Sequence, residues 1–412
     1  MSTSFSDLGV PAAVVASLAA RGITEAFPIQ AMTIPAALAG QDICGRAPTG
    51  SGKTLAFGIP LAQRVTRARV ARPRALVLAP TRELAAQIHD ELRLLLAPDR
   101  KSVASFYGGV SFAPQLKVLR RGVDVAVACP GRLADLVRRG CMILDEVEIV
   151  VIDEADRMAD MGFLPEVKRI LDQVRPDRQT LLFSATLDGD VDVLIKRYQR
   201  NPERCEVFAD AAEVDRTSHH FVPAKREDRV NLTADLVTQH GPTIVFCRTK
   251  HGTDRLAAQL QRSGVSAAPI HGGRSQSQRD RALASFSEGR VQALVATDVA
   301  ARGIHVDNVG CVVHFDIAGD HKDYVHRSGR TGRAGADGVV VSFVTAEDVV
   351  KARQIQKALD MPMLAAPAGT RSSAAAPAVS TRRRQFEGSR PKGTGGQPHR
   401  GQGRQRAGRA GR

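Results

Sequence analysis

Tryptophan is absent from the 412 residues, and tyrosine occurs only three times. Aromatic side chains make up 4% of the chain, too few for the exposed stacking platforms by which some folds grip single-stranded bases. No uncharged apolar run reaches the roughly 18 residues that a membrane span requires, and Met1 to Val10 has neither a charged n-region nor an apolar h-region. Export and membrane insertion are therefore not expected, and the chain reads as cytoplasmic. The six cysteines (Cys44, Cys129, Cys141, Cys205, Cys247 and Cys311) lie far apart with no CxxC pair, which argues for buried, reduced thiols rather than zinc or disulfides. Acidic residues are in deficit: 43 Asp and Glu against 58 Lys and Arg leave a net charge of +15. Residues 366–412 hold eleven Lys or Arg against Glu387 alone, so ten of those fifteen charges belong to one terminal segment.

What is present suffices for two or three substantial cores, with 43% hydrophobic and 25% charged residues at this length. Short β-branched runs recur at Ala75–Ala79, Val123–Ala128, Val147–Ile152 and Thr180–Phe183, each followed by a turn and a helical pattern. A second series follows at Thr243–Cys247, Ser266–Ile270, Val291–Ala296, Cys311–Phe315 and Val339–Val344. Such alternation predicts parallel α/β architecture in two lobes. The boundaries expected are 1–207 for the first lobe, 208–228 for a polar linker and 229–365 for the second lobe. Leu84, Ile88, Leu92 and Leu95 recur at helical spacing between charged residues, as in a helix packed on a sheet. Beyond residue 365 the Gly, Ser, Pro, Gln and Arg composition offers almost no large apolar side chain, so a disordered basic tail is expected over 366–412.

Ala47-Pro48-Thr49-Gly50-Ser51-Gly52-Lys53-Thr54 follows a short apolar strand candidate and opens a helical run, the setting a phosphate-binding loop requires. Its glycines let backbone N–H groups approach phosphate oxygens, Lys53 supplies an ammonium, and the Thr54 hydroxyl can ligate Mg²⁺. A second requirement is an acid at a strand end to hold the magnesium. Asp153-Glu154-Ala155-Asp156 supplies it after the apolar run Val150–Ile152. Asp153 would reach Mg²⁺ through its water shell, and Glu154 can orient or deprotonate an attacking water. Phosphoryl transfer also needs positive charge at the γ-phosphate. The second lobe has no such loop or acid pair but carries Arg330 and Arg333 within His326–Arg333, suited to act as arginine fingers on the first lobe's nucleotide.

With these residues in place the chain resembles the DEAD-box ATP-dependent RNA helicases of helicase superfamily two, of a bacterial type with a short basic tail. Phe5 and Gly22-Ile23-Thr24-Glu25-Ala26-Phe27-Pro28-Ile29-Gln30 are similar to the Q motif, whose glutamine reads adenine, which implies ATP. Pro80–Leu84 resembles motif Ia, Gly108-Gly109 the glycine doublet, Cys129–Arg132 motif Ib and Ser184-Ala185-Thr186 motif III. Val245–Cys247 resembles motif IV, His271-Gly272 with Gln276 and Arg279 the HG…QxxR element, Thr297–Gly303 motif V and Tyr324–Arg333 motif VI. The resemblance implies two tandem RecA-like domains. It also implies nucleotide contacts from Ile23, Gln30, Thr49 to Thr54 and Gly303, and coupling roles for Asp156, Ser184, Thr186, Asp298 and His326. Ile23 stands where the family has an aromatic that stacks on adenine, His305 where motif V has an acid, and Cys129 where motif Ib has threonine.

If both sheets present their loops to one groove, a single RNA strand can lie across the two lobes. Arg82, Arg132 and Arg279 would meet phosphates, while Thr81, Gly109, Thr249, Gly272, Gln276 and Thr297 would bond the backbone or 2′-OH. Such contacts position RNA without reading sequence. The expected activity is RNA-stimulated ATP hydrolysis coupled to local unwinding of short duplexes, by a monomer, with the Arg/Gly tail attracting RNA electrostatically. Two other readings stay open here: an ATP-gated RNA clamp with little turnover, and a DNA-directed helicase of the same superfamily.

Overall fold

Six four-residue strands among the described residues have every side chain buried, and they dictate the architecture. ALVL, VAVA and IVVI in the first lobe and ALVA in the second are continuous apolar runs, and TIVF and CVVH carry one buried polar residue each, as expected of strands covered by helices on both faces. The computed structural model describes residues 3–48, 50–207, 217–301, 309–332 and 337–363. Strands in chain order are β1 (Thr3–Ser4), β2 (Glu25–Ala26), β3 (Ile43–Arg46), β4 (Ala75–Leu78), β5 (Val103–Phe106), β6 (Val125–Ala128), β7 (Ile149–Ile152), β8 (Gln179–Ser184) and β9 (Glu203–Glu206). The second lobe adds β10 (Thr217–Pro223), β11 (Thr243–Phe246), β12 (Ala267–Ile270), β13 (Ala293–Ala296), β14 (Cys311–His314) and β15 (Gly338–Val344).

Lobe one is a seven-stranded sheet in the order β5-β6-β4-β7-β8-β3-β9, and lobe two a six-stranded sheet in the order β10-β15-β14-β11-β13-β12. Every pairing within these two sheets is parallel. The period-2 alternation of each strand sends Val77, Val127 and Val151 into the core on one face of the first sheet, and Leu76, Ala126 and Val150 into the core on the other. The helix Arg82–Leu96 buries Ile88, Leu92 and Leu95, the stripe its spacing predicts. Each fully buried Leu, Ile or Val contributes about 1.5–3 kcal/mol.

One sequence expectation changes. Thr217–Pro223, placed in the linker by its polarity, is a strand that pairs with β15 along its whole length, so lobe two begins before residue 229. All six cysteines are free, and five are buried while Cys141 is partly exposed. No helix among the described residues is long and apolar enough to cross a membrane. The two lobes pack into one compact unit.

Candidate nucleotide and nucleic-acid site

In a parallel sheet, ligands bind beyond the carboxyl ends of the strands. On lobe one that edge is divided in two. The β7-β8-β3 side carries Asp153 after β7, Ser184 at the end of β8 and the glycine-rich loop after β3. The β5-β6-β4 side carries Gly108 and Gly109, Cys129 to Arg132, and Thr81.

Gly50 and Gly52 take positive φ (+91° and +82°), and Gly52 caps the helix Lys53–Arg64 from the left-handed region. A side chain there has no room: a Cβ on Gly52 would lie 2.3 Å from Gln30 Nε2 and 2.6 Å from Phe27 Cδ2. Gln30 Nε2 donates to the Gly52 carbonyl at 2.9 Å, while its Oε1 accepts from the Phe27 N–H at 2.9 Å. Lys53 is buried and donates to the carbonyls of Ala47 and Pro48 at 2.9 and 3.0 Å. The Ile23 side chain packs on the core beneath.

Asp153 is 2% exposed, and burial pushes its carboxyl up to about 7 although the Lys53 cation pulls it down. Glu154 sits at φ +50°, a strained conformation for a residue with a side chain. Its Oε2 is buried without a hydrogen bond among the described residues, and Arg157 Nε lies 3.9 Å away. Asp156 is tied to the next strand: its N–H donates to Ser184 Oγ at 3.1 Å, and its Oδ2 accepts from the Ala185 N–H at 3.2 Å. A cleft of about 440 Å³ brings Asp156 and Thr186 of lobe one to His326 of lobe two. A narrower crevice beside it joins Arg157 to Asp298, His326, Arg327 and Arg330. There Asp298 accepts a two-toothed pair from Arg327 at 2.6 and 2.7 Å, and Arg330 Nε bonds the His326 carbonyl at 3.3 Å.

On the other half of the edge the lobes meet directly. Arg279 Nη2 lies 2.8 Å from Glu83 Oε2, with both side chains buried, and Gln276 Nε2 donates to Glu83 Oε1 at 3.2 Å. Arg82 bonds Gln276 at 3.4 Å and lies against Gly109. Arg132 stacks 4.0 Å over the Phe112 ring and donates to the Val110 carbonyl at 2.9 Å, bracing the loop that holds Gly109. Thr81 and Thr249 cap their helices by accepting from Leu84 and Gly252. Gly272 is exposed beside Lys250, and Thr297 closes β13. Burial pushes the Cys129 thiol up to about 12, so it acts as an apolar packing group and caps nothing. Thr49, Gly303, His305, Arg333 and the tail lie outside the described residues.

Comparison with known proteins now decides the family. The DEAD/DEAH box helicase family matches residues 27–194, and the helicase conserved C-terminal domain matches residues 225–335. The chain belongs to the DEAD-box family of ATP-dependent RNA helicases. It is 41% identical over 357 residues to the DEAD-box ATP-dependent RNA helicase CshA of Geobacillus kaustophilus, covering 86% of this chain and 76% of that one. It is also 41% identical over 364 residues to DEAD-box ATP-dependent RNA helicase 30 of Arabidopsis thaliana, covering 86% of this chain and 61% of that one. Across such curated relatives the chain spans from 45% to 76% of their length. Among solved structures, S. cerevisiae Dbp5 bound to RNA and ADP BeF3 superposes with a TM-score of 0.77 at 29% identity, covering 87% of this chain and 94% of that one. The two parallel sheets are thus the RecA-like pair of a DEAD-box helicase core.

Reading the sequence missed Glu83 and Arg157, both charged and both buried where the lobes meet. Glu83 lies inside a motif already singled out and Arg157 directly follows one, but only tertiary packing reveals which charges turn inward.

Proposed function

We propose that this protein hydrolyses ATP in response to single-stranded RNA and uses closure of its lobes to open short RNA duplexes or remodel RNA–protein complexes. One observation carries the reading: Asp156 and Thr186 of lobe one share a cleft with His326 of lobe two, next to the crevice that holds Arg330. Lobe one supplies a phosphate loop and buried acids, and lobe two supplies the guanidinium groups.

In this mechanism the N–H groups of residues 49–54 and the Lys53 ammonium receive the triphosphate, and Gln30 reads the adenine edge. The Thr54 hydroxyl and the Asp153 carboxylate fit Mg²⁺, a hard cation that takes oxygen donors, and the cost of keeping Asp153 ionised in a buried site falls when a cation is near. Bound there, Mg²⁺ would neutralise charge on the phosphate oxygens. Glu154 accepts the proton of the attacking water. Arg330, with Arg333, stabilises negative charge developing at the γ-phosphate. The Asp156–Ser184 and Asp156–Ala185 hydrogen bonds connect this chemistry to β8, and Thr186 and His326 connect it to lobe two.

The strand ends beyond β5-β6-β4 and β11-β13-β12 form the RNA groove. Thr81, Arg82, Gly109, Arg132, Thr249, Gly272, Gln276, Arg279 and Thr297 either face the RNA backbone or brace the loops that do. ATP and RNA each favour the closed arrangement, so each raises the affinity for the other. RNA bent in a closed groove leaves A-form pairing, and phosphate loss reopens the cleft. The protein works as a cytoplasmic monomer, and its basic tail adds RNA affinity by counterion release.

The test is steady-state ATP hydrolysis with and without single-stranded RNA, with DNA of equal sequence for comparison and Lys53→Ala as control. RNA-selective stimulation that Lys53→Ala abolishes supports the reading. Turnover indifferent to RNA contradicts it. Removing residues 366–412 should weaken RNA binding and flatten its salt dependence while leaving maximal turnover intact, checked by binding titrations at several salt concentrations.

A further inference from the structure

The strands that hold the nucleotide loops at their carboxyl ends meet a second concavity at their amino ends. A cavity of about 550 Å³ opens where β3, β7 and β8 begin, across lobe one's sheet from the glycine loop, Asp153 and Ser184. Three guanidinium groups border it from separate segments: Arg64 ends the helix Lys53–Arg64, Arg178 precedes β8 and Arg200 lies before β9. The acids at its rim are committed elsewhere. Glu148 pairs with Arg74 at 3.1 Å and accepts from the Thr66 hydroxyl at 3.0 Å, and Asp177 is taken by its near neighbour Arg175. Asp42 accepts from the backbone N–H groups of Thr180 and Arg200, both at 2.7 Å. That leaves Arg64, Arg178 and Arg200 with no carboxylate in ion-pair reach among the described residues. Arg64 is braced by hydrogen bonds to the Leu38 carbonyl and Gln179 Oε1, at 3.0 and 3.2 Å. Arg178 donates to the Arg175 carbonyl at 3.0 Å, but its Nε is buried with no hydrogen-bond partner among the described residues. Burial lowers the Arg178 guanidinium below its ordinary value; the Asp42 carboxylate opposes this, and the Arg200 cation adds to it.

We propose that this cavity is a binding site for an oligophosphate anion, separate from the phosphate loop. Guanidinium groups match phosphate oxygens with paired N–H donors, and such charge-assisted bonds are the strong ones. A buried donor left unpaired is costly, and an anion beside Arg178 supplies the acceptor that the protein does not. Three guanidinium groups without a counter-charge call for several negative charges in one compact ligand, and the cavity is several times larger than a single phosphate. No aromatic side chain lines it and Ile149 is its one large apolar residue, so nothing there stacks on a base. The phosphates themselves are what is recognised. An oligophosphate reaches such a site from two sources, as a free inorganic chain or as the 5′-triphosphate end of an RNA. The cavity shares no residue with the phosphate loop, so the proposal stands apart from the ATP reading.

The probe is inorganic triphosphate, titrated by calorimetry into the full chain carrying Lys53→Ala, whose phosphate loop lacks its cation. Saturable binding is expected to remain. Adding Arg178→Gln and Arg200→Gln should weaken it about tenfold or more, the scale of a lost charge-assisted hydrogen bond. Arg200→Gln alone, at an exposed position, should weaken it several-fold, so the outcome does not depend on how the chain tolerates a change at half-buried Arg178. The basic tail is the same in every variant, and anion held there cancels in the comparison. Triphosphate affinity that ignores the arginine substitutions overturns the proposal, and so does its absence from the Lys53→Ala chain. Citrate binding as tightly as triphosphate overturns the phosphate class. A short RNA with a 5′-triphosphate, compared with the same RNA bearing a 5′-hydroxyl, separates the sources. A gain in affinity that Arg178→Gln with Arg200→Gln removes supports the RNA end as ligand, and triphosphate binding with no such gain supports the free chain.

Discussion

The carboxyl edges of the two sheets are laid out alike and equipped differently. In lobe one β4 runs into Thr81, which caps a long helix; in lobe two β11 leads through a short turn to Thr249, which does the same. The strand starts repeat as well. Ser102 and Asp124 exchange hydrogen bonds between β5 and β6, as Ser266 and Gln292 do between β12 and β13. The contrast lies on the nucleotide side. Lobe one places a glycine loop, Lys53 and three buried acids there, whereas lobe two places the helix His321–Ser328 followed by buried Arg330. The two sheets share one layout but carry opposite charge on this side, acids and a glycine loop on lobe one and arginines on lobe two, as the proposed division of labour requires. The difference teaches that the fold supplies positions at strand ends, and that a few residues at those positions give each lobe its own chemical character.

Breaking the equipped half has the largest expected effect. Glu154→Gln should retain ATP and RNA binding while hydrolysis falls about 10²–10⁴-fold, the usual contribution of a general base, measured by steady-state turnover beside equilibrium binding. The direct lobe contact comes next. Glu83→Gln leaves Arg279 buried opposite a neutral amide, so closure should weaken and the RNA concentration giving half-maximal ATPase should rise several-fold, with turnover at saturating RNA nearly unchanged. An unaltered RNA dependence would remove Glu83 from the closure contact.

The smallest effect sharpens the contrast between the strand-start staples. Burial works to raise the Asp124 carboxyl, but hydrogen bonds from Ser102 and Ala68 and the nearby Arg67 prevail and hold it below the usual carboxylate range. A carboxylate depressed in the folded state stabilises fully above its unfolded value, near pH 4, and loses that contribution as pH falls through the folded value. Asp124→Asn, which approaches the neutral Gln292 version, should cost about 1–3 kcal/mol at neutral pH and flatten the acid limb of unfolding. Chemical denaturation at pH 7 and pH 3 checks this.

Central strands were legible because burial on both faces leaves an uninterrupted apolar run, as in Ile149–Ile152 and Ala293–Ala296. Edge strands, β12 excepted, were not. Thr217–Pro223 is half exposed, reads as polar linker and is a strand only because β15 lies beside it. The phosphate loop and Asp153–Glu154 were legible because their chemistry demands particular residues in sequence order. Glu83 was not, since its helix reads as amphipathic with charges outward and only the arrival of Arg279 from lobe two makes its burial tolerable.

The complementarity of the lobes is tested most directly by RNA-stimulated ATP turnover of Arg330→Ala, measured together with its ATP affinity. The account predicts that ATP still binds lobe one within a few-fold of wild type while stimulated turnover falls about 10³-fold or more, the scale of a lost arginine finger. Stimulated turnover equal to wild type would show that lobe one completes the chemistry alone and would contradict the account.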